Sequence, residues 1–246
     1  MNPVMTMATA RRVLRQLWHD PRTLAMLALV PTMLMVLLRY VFGNQQSFDQ
    51  FAPILLGLFP FSIMFLVTSV ATLRERRSGT LERLMTMPIA KLDFLLGYGI
   101  AFGLVALAQV GIVTLVTETW LGLTIVGSLW SLVLVALLSS VLGTGIGLCV
   151  SAFARTEFQA VQFMPLLIFP QVLLCGLFVP RAEMARWLQL ISDAFPLSYT
   201  VEAMQDATGQ ATLSSAAIRD LIVIFGCAIV SLLLGAITLQ IGRAHV

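Results

Sequence analysis

Apolar residues run almost without interruption through six stretches of the chain, each long enough to cross a membrane. A helix needs about 20 mostly apolar residues to span the hydrocarbon core of a bilayer. The predicted spans cover residues 23–42, 51–73, 94–116, 129–153, 160–177 and 221–241. A transmembrane β-barrel would show short segments of alternating polarity instead. The pattern therefore predicts an all-α integral membrane fold with six transmembrane helices.

The composition excludes a water-soluble fold. Charged residues make up 11% of the chain, whereas soluble globular proteins carry about 25%. Hydrophobic residues reach 59% and the mean hydropathy is +0.94. A soluble fold of this size has too little polar surface to cover so much apolar side chain, and a disordered chain would need the opposite composition.

The segment before the first span, residues 1–22, is predicted to form a separate amphipathic helix at the cytoplasmic membrane surface, ahead of a six-helix domain over residues 23–246. Residues 8–20 place one set of apolar and one set of basic side chains on different faces: Ala10, Leu14, Leu17 and Trp18, against Arg11, Arg12, Arg15 and His19. Arginine on the polar face and tryptophan at its edge suit an interfacial helix. An ordinary basic segment before the span is the alternative. A cleavable signal peptide is not expected, because a full-length span follows and no small-residue cleavage site interrupts it.

The segment between the fifth and sixth spans, residues 178–220, is too polar to cross the membrane. Residues 181–192 are amphipathic, and Pro196 and Gly209 are suited to begin and end a second short helix. We therefore expect short external or re-entrant helices here, with a simple loop as the alternative.

Basic residues favour one side of the predicted membrane. Residues 1–22, 74–93 and 154–159 and the C-terminal tail hold eleven of the fifteen lysines and arginines. Because basic loops stay on the cytoplasmic side, the pattern predicts a multi-pass membrane protein with both termini in the cytoplasm.

Catalytic and metal sites are not expected on this chain. Its histidines, His19 and His245, lie outside the spans, so no Ser-His, Cys-His or His-metal arrangement forms within the bilayer. Ala90 precedes Lys91, the single lysine, which excludes a phosphate-binding loop ending in Gly-Lys. Arg39 and Glu118 lie near span ends, so the spans also lack the coupling acids of a gradient-driven carrier.

Small residues recur every four positions in the fourth span, at Ser139, Gly143, Gly147 and Ser151. Such a stripe lets two helices approach closely within lipid. We expect it to pack against another helix of the same chain, with a contact to another subunit as the alternative.

The loop after the second span predicts a short amphipathic helix at the membrane surface over residues 78–87. Gly79 interrupts the preceding helix, Thr80 is a suitable N-cap, and Glu82 falls in the first turn, where a carboxylate favours the positive helix end. Leu81, Leu84 and Met85 share one face, and Pro88 ends the element. A basic loop without a partner is the alternative.

The same loop resembles the one that follows the second span in type-2 ABC transporter permeases, which include daunorubicin-resistance, nodulation-factor and O-antigen exporters. The matching positions are Glu75, Gly79, Thr80, Glu82, Leu84 and Pro88. Weaker similarities lie at residues 143–151, 175–180 and 195–199. The resemblance implies that this loop is the coupling helix that contacts an ATPase subunit. We expect the ATPase to dock mainly on residues 78–87, which include Arg83. Further contacts are expected from the 154–159 turn, with Arg155 and Glu157, and from the N-terminal amphipathic helix.

The resemblance implies the transmembrane subunit of an ABC exporter that moves an amphiphilic or hydrophobic solute, such as a drug, lipid or glycolipid, and so a role in multidrug resistance. Two copies of a separate ATPase would bind ATP and Mg²⁺, while this chain would bind no cofactor and no nucleic acid. A second permease chain, identical or homologous, would complete the pathway. The resemblance also implies that the complex lies in a bacterial cytoplasmic (inner) membrane. A gradient-driven secondary transporter and a non-transporting scaffold or immunity protein are the alternatives.

Two spans combine aromatic, hydroxyl and amide side chains on one face, which suits an amphiphilic solute better than an ion. The residues predicted for the pathway are Phe51, Leu55, Leu58, Ser62 and Phe65 in the second span and Phe158, Gln162 and Phe169 in the fifth. The resemblance places these spans at a dimer interface. The alternative is that both faces pack in the core.

Overall fold

The computed structural model describes residues 3–79 and 91–241, and that part of the chain is helical without strands. The helices are α1 (Pro3–Trp18), α2 (Pro21–Phe42), α3 (Gln45–Arg77), α4 (Lys91–Thr119), α5 (Leu129–Ser151), α6 (Glu157–Leu174), α7 (Arg186–Asp193), α8 (Pro196–Gly209) and α9 (Ser215–Ile241), with a 3₁₀ turn at Arg181–Glu183. The all-α prediction is confirmed. The predicted coupling helix falls mostly in residues 80–90, outside the described residues.

Six of the described helices, α2 to α6 and α9, are long and apolar enough to cross a membrane, as predicted. Several begin earlier than the hydrophobic pattern indicated, because polar side chains cap them. Asn44 Oδ1 accepts a hydrogen bond from Ser47 N at 2.7 Å and starts α3, and Thr156 Oγ1 accepts one from Gln159 N at 3.1 Å and starts α6. Polar caps of this kind satisfy the unpaired N–H groups of a first turn.

The centre of the fold is the close parallel packing of α3 against α5. Ser139 Oγ donates a hydrogen bond to the Gly57 carbonyl at 2.9 Å. One turn further along, a Cβ on Gly143 would lie within 3.0 Å of the Phe61 backbone. A Cβ on Gly147 would lie 2.5 Å from the carbonyl oxygen of Phe65. The small-residue stripe predicted for the fourth span therefore packs within the chain, since only small side chains leave room for this approach.

The short helix α8 lies inside the bundle, against α3, α5 and α9. Its buried side chains include Leu197, Val201 and Met204. Thr200 and Met204 come so close to Gly57 of α3 that a Cβ at that glycine would lie 2.9 Å from Thr200 Cγ2. Two short helices, α7 and α8, thus occupy the segment where they were expected, and one of them is part of the core.

Arg181 links the two short helices to each other, and Ser192 links α7 to the end of α6. Its guanidinium pairs with Asp193 of α7 and with Glu202 of α8, the latter at 2.5 Å, and it lies 5.7 Å from the centre of the Tyr199 ring. Ser192 Oγ donates a hydrogen bond to the Leu174 carbonyl at 2.8 Å. This end of the bundle is called the distal end below.

Arg39 also belongs to the distal end. Its Nε donates a hydrogen bond to the Leu121 carbonyl at 3.3 Å, and its guanidinium lies 5.7 Å from the centre of the Phe48 ring. The half-buried arginine therefore reaches the loop after α4 instead of remaining within the span, as snorkelling predicts.

Candidate functional site

The last turn of α3 meets four other helices at the end of the bundle opposite the distal end, and this region is called the basic end. It contains residues 12–20, 74–79, 93–98 and 151–157. Consecutive residues on a helix point about 100° apart, so Arg74, Glu75 and Arg76 each reach a different neighbour. The residues that begin the predicted coupling segment leave the bundle from this point.

Arg74 links α3 to the start of α6. Its Nε and Nη2 donate hydrogen bonds to the two carboxylate oxygens of Glu157, at 2.8 and 2.9 Å. A second carboxylate, from Asp20 in the turn between α1 and α2, lies 3.8 Å from Arg74 Nη1. Arg74 and Glu157 are both about half exposed. Exposed ion pairs contribute about 0–1 kcal/mol, so this pair orients α6 more than it stabilises the fold.

Glu75 links α3 to α1 and α4 from a buried position. The residue is 8% exposed, and its Oε1 accepts a hydrogen bond from Arg12 Nη1 at 3.1 Å. Arg12 Nη2 in turn donates to the hydroxyl of Tyr98 at 3.0 Å. A buried pair of this kind is costly to break, because removing one partner leaves the other charge uncompensated. The contact therefore fixes α1 against the last turn of α3.

Arg76 and the residues after it complete the junction. Arg76 Nη1 donates a hydrogen bond to the Ser151 carbonyl, the final residue of α5. Ser78 N donates to the Arg74 carbonyl at 3.0 Å, and Ser78 Oγ donates to the Glu75 carbonyl at 3.1 Å. Gly79 follows with φ = +68°, a left-handed conformation that glycine adopts without strain. The hydrogen bonds of Ser78 and the left-handed conformation of Gly79 thus set the direction of the chain at the end of α3.

Helix α1 lies directly on the first part of α4. Thr9 and Gly97 are so close that a Cβ on Gly97 would lie 2.6 Å from the Thr9 Cβ. Thr6 Oγ1 donates a hydrogen bond to the buried carboxylate of Asp93 at 3.3 Å. The buried side of α1 includes Ala10, Val13 and Leu17. These contacts place α1 against α4. They do not locate the membrane surface, so the predicted interfacial position of α1 stays a prediction.

The face of α1 differs in detail from the predicted one. Val13 belongs to the buried side, while Leu14 is half-buried and Trp18 is 78% exposed. The difference arises because the contact with α4 determines which side of α1 is buried. The small residues Thr9 and Gly97 allow the two helices to approach closely there.

The residues predicted for ATPase coupling divide into three groups. Thr80, Glu82, Arg83, Leu84 and Pro88 lie outside the described residues. Gly79 and Arg155 lie at the basic end, where the Arg155 side chain is exposed and its backbone N donates to Gln159 Oε1 at 2.9 Å. Glu75 and Glu157 are engaged within the chain, with Arg12 and Arg74. If these two acids contribute to coupling, they therefore act by holding helices together and not by contacting the ATPase directly.

The residues predicted for the substrate pathway do not form one surface within a single chain. Phe51 and Leu55 of α3 are half-buried, whereas the other three lie in the core: Leu58, Ser62 and Phe65. On α6, the three predicted residues are exposed: Phe158, Gln162 and Phe169. The exposed side of α6 remains available to a second chain or to lipid, and the pathway stays a prediction.

Sequence reasoning did not assign a role in the junction to Arg12, Asp20, Arg74, Arg76 and Tyr98. The sequence feature that could have indicated them is the presence of a few acidic residues among many arginines in the segments predicted to share one side of the membrane. Asp20, Glu75 and Glu157 each form an ion pair with an arginine there. In the part of the chain that the structure describes, no group of three or more His, Cys, Asp or Glu side chains could hold a metal ion.

A family model described as ABC-2 type transporter matches residues 5–208. The chain is 25% identical over 168 residues to the ABC transporter G family member 20 of Dictyostelium discoideum, covering 68% of this chain and 23% of that protein. It is 31% identical over 144 residues to the inner membrane transport permease YhhJ of Escherichia coli, covering 58% and 38%. It is 27% identical over 155 residues to the probable multidrug ABC transporter permease YbhR of Escherichia coli, covering 63% and 41%. The matched regions thus span less than half the length of these relatives.

Proposed function

Since the chain belongs to the ABC-2 type transporter family, we propose that it is the permease subunit of an ABC exporter that a separate ATPase energises. The observation that carries the proposal is the family match over residues 5–208, which includes the junction at the end of α3. ATP and Mg²⁺ bind to the ATPase in this proposal, and the permease contributes binding and movement only.

The basic end faces the cytoplasm in this proposal. The concentration of arginines in residues 1–22 and 74–93 supports that orientation. The two ATPase copies then dock on residues 78–87, with the exposed Arg155 and its turn beside them. Both termini lie on the same side, in the bacterial inner membrane.

Movement of the docked ATPase reaches the spans through the last turn of α3. This turn is bonded to α1 through Glu75, to α5 through Arg76 and to α6 through Arg74. A displacement of residues 78–87 therefore acts on several helices at once. The solute moves because the two arrangements of the spans bind it with different affinities, and nucleotide binding selects between them.

A second permease chain, identical or homologous, completes the pathway in this proposal. In the most apolar segment of α2 and of α6, only 17% of the residues are buried within the chain, whereas 61% are buried in the corresponding segments of α3 and α5. Lipid or another subunit must cover these faces. The similarity to a probable multidrug ABC transporter permease supports an amphiphilic or hydrophobic solute.

The test is co-expression of the chain with the ATPase encoded beside it, followed by purification and transport in inside-out vesicles. We expect the two proteins to co-purify, and ATP to drive uptake of a fluorescent amphiphile. Glu82→Arg should uncouple ATP hydrolysis from transport while the protein stays folded, whereas Glu118→Arg, at an exposed position of the distal end, should leave transport intact.

Three outcomes contradict the proposal. Unchanged transport by Glu82→Arg removes the proposed docking site. Uptake that follows a proton or sodium gradient without ATP indicates a secondary transporter instead. A chain that neither co-purifies with an ATPase nor moves any solute is better explained as a membrane scaffold or immunity protein.

A further inference from the structure

The outward face of α1 carries two arginines that are not neutralised within the described part of the chain. Helix α1 contains three arginines and no acidic residue. Arg12 pairs with Glu75, whereas Arg11 and Arg15 are exposed and form no ion pair with any described residue. These two residues are four positions apart, so they lie one above the other on the same side of the helix. This side is called the basic surface of α1 below.

Apolar side chains are exposed along the adjoining side of the same helix. Met7 and Trp18 are 61% and 78% exposed. They are eleven positions apart, which is about three turns, so they lie in one row with the half-buried Leu14 between them. A rotation of about 60° around the helix separates this row from the basic surface. The exposed part of α1 therefore changes from apolar to basic across its width, as in helices that lie at a boundary between lipid and water.

The contact between α1 and α3 gives the level of the basic surface relative to the spans. The apolar sequence of α3 ends at Leu73, and four charged residues follow at 74–77, so the hydrocarbon region ends near Leu73. Arg12 donates to Glu75, which is about 3 Å further along α3. The basic surface lies within one turn of Arg12. Lipid head groups occupy the layer directly outside the hydrocarbon, so the two exposed arginines lie at the level of the phosphates.

The acids near α1 are engaged elsewhere. The carboxylate of Asp20, in the turn after α1, accepts hydrogen bonds from Thr23 N at 3.3 Å and Thr23 Oγ1 at 2.7 Å, and it lies 3.8 Å from Arg74 Nη1. Glu75 is engaged by the third arginine of α1. Asp93 is buried against the opposite side of α1, where it accepts from a threonine hydroxyl. The basic surface therefore keeps its charge.

An open cavity with a volume of about 650 Å³ borders the basic surface, and its lining comes from one side of α1: Ala8, Arg11, Arg12, Arg15, Gln16 and His19. His19 Nδ1 donates a hydrogen bond to the Arg15 carbonyl at 2.7 Å, which holds the imidazole ring beside the two exposed arginines. A guanidinium group can donate two parallel hydrogen bonds to the oxygens of one phosphate. A phosphate-bearing head group therefore finds both space and donors here.

We propose that the basic surface of α1 binds an anionic phospholipid of the adjoining leaflet, which is the cytoplasmic leaflet in the orientation given above. The phosphate pairs with Arg11 and Arg15, and the acyl chains pass beside Met7 and Trp18. An anionic lipid is favoured over a zwitterionic one, because the latter brings its own cation and leaves the arginines without net compensation. This inference goes beyond the proposed function, since it holds for the chain without an ATPase.

The test is quenching of Trp18 fluorescence by brominated lipids in nanodiscs that contain the purified full-length chain. Trp120, Trp130 and Trp187 are exposed and are replaced by phenylalanine, which leaves Trp18 as the single tryptophan. Dibrominated phosphatidylglycerol is mixed with unlabelled phosphatidylcholine in one series, and the bromines are on phosphatidylcholine in the other. We expect phosphatidylglycerol to bind beside Trp18 at least fivefold more strongly, because each arginine near an anionic leaflet strengthens binding about fivefold.

Removing the two charges should remove the preference. Arg11→Gln combined with Arg15→Gln should bring the ratio of the two lipid binding constants close to one, and the variant should fold because both side chains are exposed and unpaired. Arg186→Gln, which removes a charge at an exposed position of the distal end, should leave the ratio unchanged. Salt at about 1 M, where charges are screened beyond about 3 Å, should also lower the preference of the natural sequence.

Equal quenching by both lipids, or a preference that survives the loss of both arginines, overturns the inference. The other candidate partner is the ATPase, and benzoylphenylalanine in place of the exposed Ala8 tests it in the complex. We expect the photoreactive group to attach to lipid, and attachment to the ATPase overturns the inference. The quenching requires neither nucleotide nor ATPase. A lipid preference without ATP-driven transport therefore contradicts the proposed function alone, while ATP-driven transport without a lipid preference contradicts this inference alone.

Discussion

Replacing Gly97 by alanine tests whether α1 is rigidly seated on α4. The added methyl group would lie 2.6 Å from the Cβ of Thr9, 2.8 Å from its Cγ2 and 2.9 Å from the carbonyl oxygen of Thr6. Rotation about χ1 of Thr9 can move its Cγ2, but the Thr9 Cβ and the Thr6 carbonyl oxygen are fixed by the backbone of α1, so no rotamer change relieves all three contacts. Helix α1 must move away from α4 as a unit.

The expected cost follows from two opposing effects. Alanine is favoured over glycine inside a helix by about 0.5–1 kcal/mol. Forcing a methyl group into a filled site costs about 1–3 kcal/mol, so Gly97→Ala should be destabilising overall. Gly99→Ala is the matched control, since its methyl group meets nothing within 4 Å, and it should be neutral or slightly stabilising.

The measurement is equilibrium unfolding of the purified variants in mild detergent, together with coupling of ATP hydrolysis to transport. Displacement of α1 lengthens the contact between Arg12 and Glu75, so Gly97→Ala should also weaken coupling. Thr9→Gly removes two of the three clashes, and adding Gly97→Ala to that background should cost less than adding it to the natural sequence. Equal stability of Gly97→Ala and Gly99→Ala would refute the close packing of α1 on α4.

Two further predictions concern the core and the distal end. Gly143→Ala should lower the free energy of unfolding by about 3 kcal/mol or more, because its methyl group meets the Phe61 backbone and not a movable side chain. Size-exclusion chromatography should show loss of folded protein. Gly103→Ala, with open space around its methyl group, should behave as the natural chain. Arg181→Gln should loosen the contact between α7 and α8, because it removes both ion pairs. Limited proteolysis should then cleave residues 175–195 roughly ten times faster. Arg186→Gln, at an exposed position, should leave the cleavage rate unchanged.

The sequence was sufficient for the spans and for the small-residue face of α5, but it did not identify α3 as the helix that packs on that face. Each span is defined by local composition, and the bilayer requires that length whatever the tertiary arrangement. The stripe from Ser139 to Ser151 was equally informative, because small residues at four-residue spacing have one main structural use within lipid. Both features depend on residues that are near one another along the chain.

The junction at the basic end required the structure. Arg12 and Glu75 are 63 residues apart, and Arg74 and Glu157 are 83 apart. Any of the many arginines could have paired with either acid, so local pattern did not select the partners. The burial of α8 was missed for a similar reason, since its fit depends on Gly57, a glycine in a distant helix that has no local signature.

The two ion pairs of the junction differ in what it costs to separate them, and this divides the basic end into a fixed and a movable part. Arg12 and Glu75 are largely buried, so α1, α3 and α4 remain together unless a charge is exposed at considerable cost. Arg74 and Glu157 are about half exposed and exchange their contact for water at a cost of about 0–1 kcal/mol. Helix α6 is also little buried and contains Pro165 and Pro170, which leave gaps in its backbone hydrogen bonding. The element that separates most cheaply from the end of α3 is therefore α6, and we expect a force applied after Gly79 to move α6 relative to the unit formed by α1, α3 and α4.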